Sequence, residues 1–161
     1  MDLAAGHSYG TNLLFSAMLS GFRPRVMVLQ APFFLFGANG NEAGQRGDFT
    51  SHVQQMVSAL PLTFRFDSEQ TWMDFFVHNR QVHPPRDKVL PSDRPTKLIC
   101  VVGEQDGDID AEKSLEFIER AATAYSQVFE LVDYLVVPGG GHDQSSLMTA
   151  EFVRVVGSNL R

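Results

Sequence analysis

Cysteine is almost missing: Cys100 is the only one among 161 residues. A lone thiol excludes an intramolecular disulfide and a cysteine-rich zinc site. Its place inside the apolar run KLICVV marks it as a small buried core residue. No N-x-S/T sequon occurs. Long hydrophobic runs are lacking too. The longest, around VMVLQAPFFLF, is too short to cross a bilayer and is interrupted by Gln30. No secretory signal is visible, which points to the cytoplasm. Cations are scarce: 13 Lys and Arg stand against 19 Asp and Glu, a net charge of −6. That balance argues against a general nucleic-acid binder, which needs clustered cations for phosphates. There is no internal repeat and no low-complexity tract. What remains is 43% hydrophobic and 20% charged, the composition of a single globular domain over residues 1–161.

The pattern along the chain alternates. Residues 2–5 read as the stub of a strand. Residues 9–20 read as a helix, with Leu13, Leu14, Ala17 and Met18 near helical spacing and Gly21 as its terminator. Residues 25–31 (RVMVLQA) and 97–102 (KLICVV) read as buried parallel strands. Residues 111–129 read as a helix with Leu115, Ile118, Ala122, Tyr125 and Phe129 on one face. Residues 132–137 read as a strand and 145–160 as a closing helix. Between them, residues 32–94 read as an insertion. It has a Gly- and Asn-rich loop at 37–47 and a helical face at Val53, Met56, Val57 and Leu60. A short helix follows around Trp72, Phe75 and Phe76, then a proline-rich return over 83–95. Alternating strands and helices predict an α/β fold with a mostly parallel sheet.

The strongest chemical signal is Gly6-His7-Ser8-Tyr9-Gly10, a G-x-S-x-G sequence between a strand and an amphipathic helix. A sharp strand-to-helix turn there would hold the Ser8 hydroxyl outward. Gly6 and Gly10 would be needed because a side chain would collide with a neighbouring strand or helix. The backbone N–H of Tyr9, at the helix N-terminus, would be an oxyanion donor. A Gly-rich turn with Ser8 as a helix N-cap would give the same letters. Two later elements weigh against that simpler reading. Gly103-Glu104-Gln105-Asp106 follows the strand KLICVV, and Pro138-Gly139-Gly140-Gly141-His142 follows the strand VDYLVV. Serine, aspartate and histidine therefore all fall just past strand C-terminal ends, the edge of a parallel sheet where ligands bind. Asp108 and Asp110 compete with Asp106 for the acid position, and Asp106 could instead cap the helix at 111.

On these residues the chain resembles the C-terminal part of an α/β hydrolase, from the nucleophile elbow onward. The resemblance covers nearly the whole chain. It matches Ser8 in GHSYG to the nucleophile, Asp106 in GEQD to the acid and His142 in GGGHD to the base, in the chain order Ser, Asp, His. It implies a partial α/β-hydrolase fold with the equivalents of strands five to eight, and residues 32–94 as a cap. It also implies a serine hydrolase acting on an ester-like bond, a carboxylic ester or thioester, through an acyl-enzyme intermediate. No cofactor and no metal is expected. The cap would meet the substrate. Eight of the 13 Phe residues lie between Phe33 and Phe76, which suits an apolar acyl or aromatic group, although the same residues could simply pack the cap.

Other matches carry less. Asp106, Asp108 and Asp110 mimic the start of a calcium loop, but Ala111 and Phe117 stand where that loop needs Gly and Glu. Arg46-Gly47-Asp48 is a tripeptide in a Gly-rich loop. His78 and His83 sit beside prolines as loop histidines. Gly139 to Gly141 lack the Lys-Ser/Thr of a phosphate loop. By the resemblance, four strands that would precede the elbow are missing, together with the loop that gives the second oxyanion donor. The expectation is a fragment, a misplaced start or one half of a split domain, pairing through its open edge with itself or with a complementary N-terminal half. The competing expectation is a noncatalytic remnant that uses that edge for association.

Overall fold

The computed structural model describes residues 1–32 and 89–161. Four strands, β1 (Leu3–His7), β2 (Val26–Gln30), β3 (Thr96–Gly103) and β4 (Phe129–Val137), form one sheet in the order β1-β2-β3-β4. All three pairings are parallel. Helices α1 (Tyr9–Leu19), α2 (Ala111–Ala124), α3 (Gln144–Leu147) and α4 (Ala150–Leu160) cover the faces. Most of the insertion expected at 32–94, with both of its helices, His78, His83 and the Phe cluster, lies outside the described residues. Residues 89–95 carry no regular element, as the proline-rich return predicts.

The central strands β2 and β3 are buried on both sides, which is why they read as unbroken apolar runs. Successive side chains alternate between two cores. Val26 and Val28 of β2 and Ile99 and Val101 of β3 point to one side, where Leu147, Phe152 and Val155 of α3 and α4 cover them. Met27, Leu29, Leu98 and Cys100 point to the other, against Phe15, Met18 and Leu19 of α1 and Ile118 and Ala121 of α2. Cys100 is fully buried, as its surroundings in the sequence predict. On the same side Phe15 meets Phe129 edge-on, with ring centroids 5.4 Å apart.

Helix α1 stops where predicted. Gly21 takes φ 112, while the Gly21 and Phe22 amides return to the Met18 and Ala17 carbonyls at 3.1 and 2.9 Å. This is the paired closure that a left-handed residue after a helix allows. Two boundaries differ from expectation. The helix predicted over 111–129 ends at Ala124. Val128 and Phe129 amides fold back on the Tyr125 carbonyl, and Phe129 opens β4. Phe129 is buried either way, so its spacing could not tell helix face from strand start. The closing helix is split. Thr149 interrupts it and accepts a hydrogen bond from the Phe152 amide, so that it caps α4. An irregularity between Leu98 and Ile99 in the β3–β4 register leaves Val132 as the extra residue, a bulge of the kind that re-aims a strand.

Candidate active site

Ser8 follows β1 directly and sits at φ 52, ψ −129. A serine with positive φ is strained by about 1–3 kcal/mol and persists only where its surroundings fix it. Here they do. The Ser8 amide donates to the Gln30 carbonyl at 2.9 Å, extending the β1–β2 ladder past the strand end. The Ser8 carbonyl accepts from the Thr11 amide at 2.9 Å and from Thr11 Oγ1 at 2.6 Å. The helix then starts at Tyr9, whose amide lies at its N-terminus. Gly6 sits close to α1: a Cβ there would stand 3.1 Å from the Gly10 carbonyl oxygen, tighter than an ordinary contact. Gly10 is not constrained in that way, because a Cβ on it meets nothing within 4 Å among the described residues. Ser8 does occupy the N-cap position of α1, as the simpler reading has it, but its side chain makes no cap bond.

Asp106 and His142 come from the loops after β3 and β4. The loops cross backbone on backbone. The Glu104 amide donates to the Val137 carbonyl at 3.0 Å and the Gln105 amide to the Gly140 carbonyl at 2.8 Å. The Gly139 amide donates to Glu104 Oε2 at 2.9 Å. Gly103 makes the crossing possible, since any Cβ on it would run into the carbonyl oxygens of Gly140 and Gly141. The sequence shows Gly103 only as the start of a turn; Gly140 and Gly141 are 37 and 38 residues away, and nothing local reveals the contact.

The crossing brings the three predicted side chains together. His142 Nε2 lies 2.8 Å from Ser8 Oγ. His142 Nδ1 lies 2.9 Å from Asp106 Oδ2 and 3.1 Å from Oδ1. Asp106 is buried, and its Oδ1 accepts from the Asp108 and Ile109 amides at 2.8 and 2.9 Å. Asp110 takes the capping role left open for Asp106, accepting from the Lys113 amide at 3.1 Å. Asp108 is 41% exposed with its carboxylate 3.8 Å from His142 Nδ1, so it stands behind Asp106. One ligand-type atom each of Asp106, Asp108 and His142 falls within 4.8 Å of the others. The imidazole nevertheless turns one nitrogen to Asp106 and the other to Ser8, which is the geometry of a proton relay.

The electrostatics follow from the same contacts. Burial pushes the Asp106 carboxyl up, but hydrogen bonds from His142 and from the Ile109 and Asp108 amides outweigh it and hold it below the ordinary range. The hydrogen bond to Asp106 raises the His142 imidazole above its usual value against the opposing effect of burial, with Asp108 and Asp143 adding in the same direction. Asp143 is held down to about 2 by Ser145 and Ser146 and caps α3 through the Ser146 amide. An apolar groove of about 420 Å³ runs between β1 and α4, lined by Leu3, Ala5, Val28, Phe152, Val156 and Leu160 among others. Neither Ser8, Asp106 nor His142 lines it. Among the described residues no helix is long and apolar enough to cross a membrane.

A parallel sheet with a strained serine at one strand end and acid and imidazole on later loops is the plan of an α/β hydrolase, and the chain has a partial α/β-hydrolase fold. Among solved structures it is similar to an esterase of Pyrococcus furiosus, with a TM-score of 0.54 and 16% identity over 98% of this chain and 51% of that one. It is also similar to the 2-hydroxy-6-oxo-6-phenylhexa-2,4-dienoate hydrolase of a Rhodococcus species, with a TM-score of 0.53, 11% identity, and 98% and 63% of the two chains covered. A type II thioesterase of the yersiniabactin biosynthetic pathway gives a TM-score of 0.51 and 16% identity over 99% of this chain and 66% of that one. The chain thus spans between half and two thirds of the length of these structures. No family model matches the sequence, and no curated protein matches it.

Proposed function

We propose that the chain is a serine hydrolase acting on a carboxylic ester or thioester, with Ser8 as nucleophile, His142 as general base and Asp106 as the acid that orients it. The observation that carries this reading is the continuous hydrogen-bond line from Asp106 through His142 to Ser8 Oγ, at 2.9 and 2.8 Å. In the first half-reaction His142 Nε2 takes the Ser8 proton as Oγ attacks the acyl carbon. The carbonyl oxygen becomes an oxyanion facing the Tyr9 amide at the N-terminus of α1, where backbone donors and the helix dipole favour negative charge. Collapse expels the alcohol or thiol, which takes the proton from Nε2. In the second half, water gives a proton to Nε2 and attacks the acyl carbon, releasing the acid and restoring Ser8. Asp106 keeps the ring in the Nδ1–H tautomer throughout and stabilises the imidazolium. The substrate we favour carries an apolar acyl or aromatic group, on the strength of the Phe-rich stretch from Phe33 to Phe76.

A fluorophosphonate probe tests the proposal, because it reacts with a serine only where a base activates it. The chain should label at Ser8, and Ser8→Ala should abolish the adduct. Folded protein that does not label would refute the reading and favour a noncatalytic half-domain. One observation speaks for that second reading: β1 has β2 as its only hydrogen-bonded neighbour among the described residues, leaving an edge on which a complementary strand would pair.

A further inference from the structure

We propose that His7 and Gln30 form a positioning pair that fixes the loop carrying His142, so that the imidazole is aimed from the elbow strand as well as by Asp106. The inference rests on the reading of His142 as general base and goes beyond it. His7 is the last residue of β1 and Gln30 the last of β2, and the two are paired in register. Strand alternation puts His7 in one column with Leu3 and Ala5, and Gln30 in one column with Val26 and Val28. Both columns are apolar until this last step, where both turn polar. The two reach adjoining stretches, His7 the loop at His142 and Gln30 the start of α3. His7 Nε2 lies 2.7 Å from the His142 carbonyl oxygen, and since a carbonyl only accepts, Nε2 carries the proton and donates. Gln30 is 4% exposed, and its Oε1 accepts from Gln144 Nε2 at 3.0 Å. Its own amide nitrogen faces Met148 Sδ at 3.3 Å.

The geometry gives these bonds a role beyond filling space. Ser8 follows His7 in the chain, so the bond from His7 to the His142 backbone ties nucleophile and base together independently of the Ser8–His142 contact itself. The two histidine rings stand 5.2 Å apart at 57°, so His7 also flanks the imidazole. Gln30 holds the first residue of α3, two residues further on, and its backbone carbonyl holds the Ser8 amide. The Gly139–Gly141 run is tied to the Asp106 loop through Glu104 and Gln105; the pair adds restraints from the elbow side, at His142 itself and just beyond it. A displacement of about 1 Å in a reacting group costs on the order of a hundredfold in rate.

The test compares His7→Phe, which keeps a ring and loses the donor, with His7→Gln, whose side-chain amide places an N–H near the position of Nε2. Both are uncharged, so a difference between them cannot come from a lost charge. Three measurements are made on each: the fluorophosphonate labelling rate at a pH where His142 is neutral, the His142 titration by ring nitrogen NMR, and the urea midpoint. Labelling should fall on the order of ten- to a hundredfold in His7→Phe, with His142 titrating at lower pH as its contact with Asp106 loosens. His7→Gln should restore both, and Gln30→Leu should add to the His7→Phe loss. In the parent chain, NMR should show His7 as the Nε2–H tautomer. Parent-like labelling and His142 titration in His7→Phe would overturn the inference, as would a labelling loss that tracks the urea midpoint and is not rescued by His7→Gln. If the parent chain does not label at all, the hydrolase reading falls, while the His142 titration and the His7 tautomer still decide the positioning role.

Discussion

Adding one methyl group at Gly103 should separate the Asp106 and His142 loops. Its Cβ would collide with the carbonyl oxygens of Gly140 and Gly141, which are backbone atoms with no rotamer to escape into. Relief requires the His142 loop to lift, which breaks or stretches the bonds from the Glu104 and Gln105 amides to the Val137 and Gly140 carbonyls. With about 0.5–1.5 kcal/mol for each hydrogen bond and about 1–3 kcal/mol for overpacking, Gly103→Ala should destabilise the fold by roughly 2–6 kcal/mol. The urea midpoint should fall by about 1–3 M. Any protein that stays folded should label with the fluorophosphonate at least about a hundredfold more slowly, because His142 moves with its loop. Gly157→Ala is the matched control. It lies within α4, where a Cβ meets nothing within 4 Å among the described residues, so the same change should be neutral or stabilise by up to about 1 kcal/mol. A Gly103→Ala protein with the parent's midpoint and labelling rate would refute the argument that the two loops need this glycine.

Three further outcomes are expected. Asp106→Asn retains an oxygen to accept from the Asp108 and Ile109 amides but no longer fixes the imidazole tautomer; labelling should fall on the order of a thousand- to ten-thousandfold, while the urea midpoint moves far less than the lost rate implies. In the proposed mechanism His142 acts as the neutral imidazole, and Asp106 raises its pKa, so the labelling rate should fall as pH drops through a midpoint above 6.5, the ordinary histidine value; a midpoint at or below 6.5 would contradict the Asp106–His142 contact. Thr149→Ala removes the cap on the Phe152 amide and should cost about 1 kcal/mol in urea unfolding without changing the labelling rate.

The features legible in the sequence were those set by local pattern. β2 and β3 could be read because a strand covered on both faces is a run of Val, Leu and Ile. That Ser8, Asp106 and His142 fall just past strand ends could be read because each follows such a run or a strand stub, with glycine within two residues. Gly21 could be read because a helix needs a residue free to turn left-handed at its end. The rest depended on contacts between distant segments. Phe129 continues the apolar spacing of α2 and belongs to β4, since burial alone is common to both. Thr149 looks like an ordinary helix position until its side chain is seen to cap α4. Gly103 is one glycine among several until the base loop is laid across it. His7 and Gln30 stand in short strands whose pairing register, not their composition, puts them side by side beneath His142.

The positive φ at Ser8 has a consequence for timing. A hydroxyl on a relaxed backbone would sample several directions and would have to be aimed during each encounter. Here the direction of the Cα–Cβ bond is settled once, when β1 pairs with β2 and α1 winds from Tyr9, and the contact with His142 Nε2 sets the hydroxyl. The energy spent on that bend is drawn from the stability of the fold, and none of it recurs with each molecule that arrives.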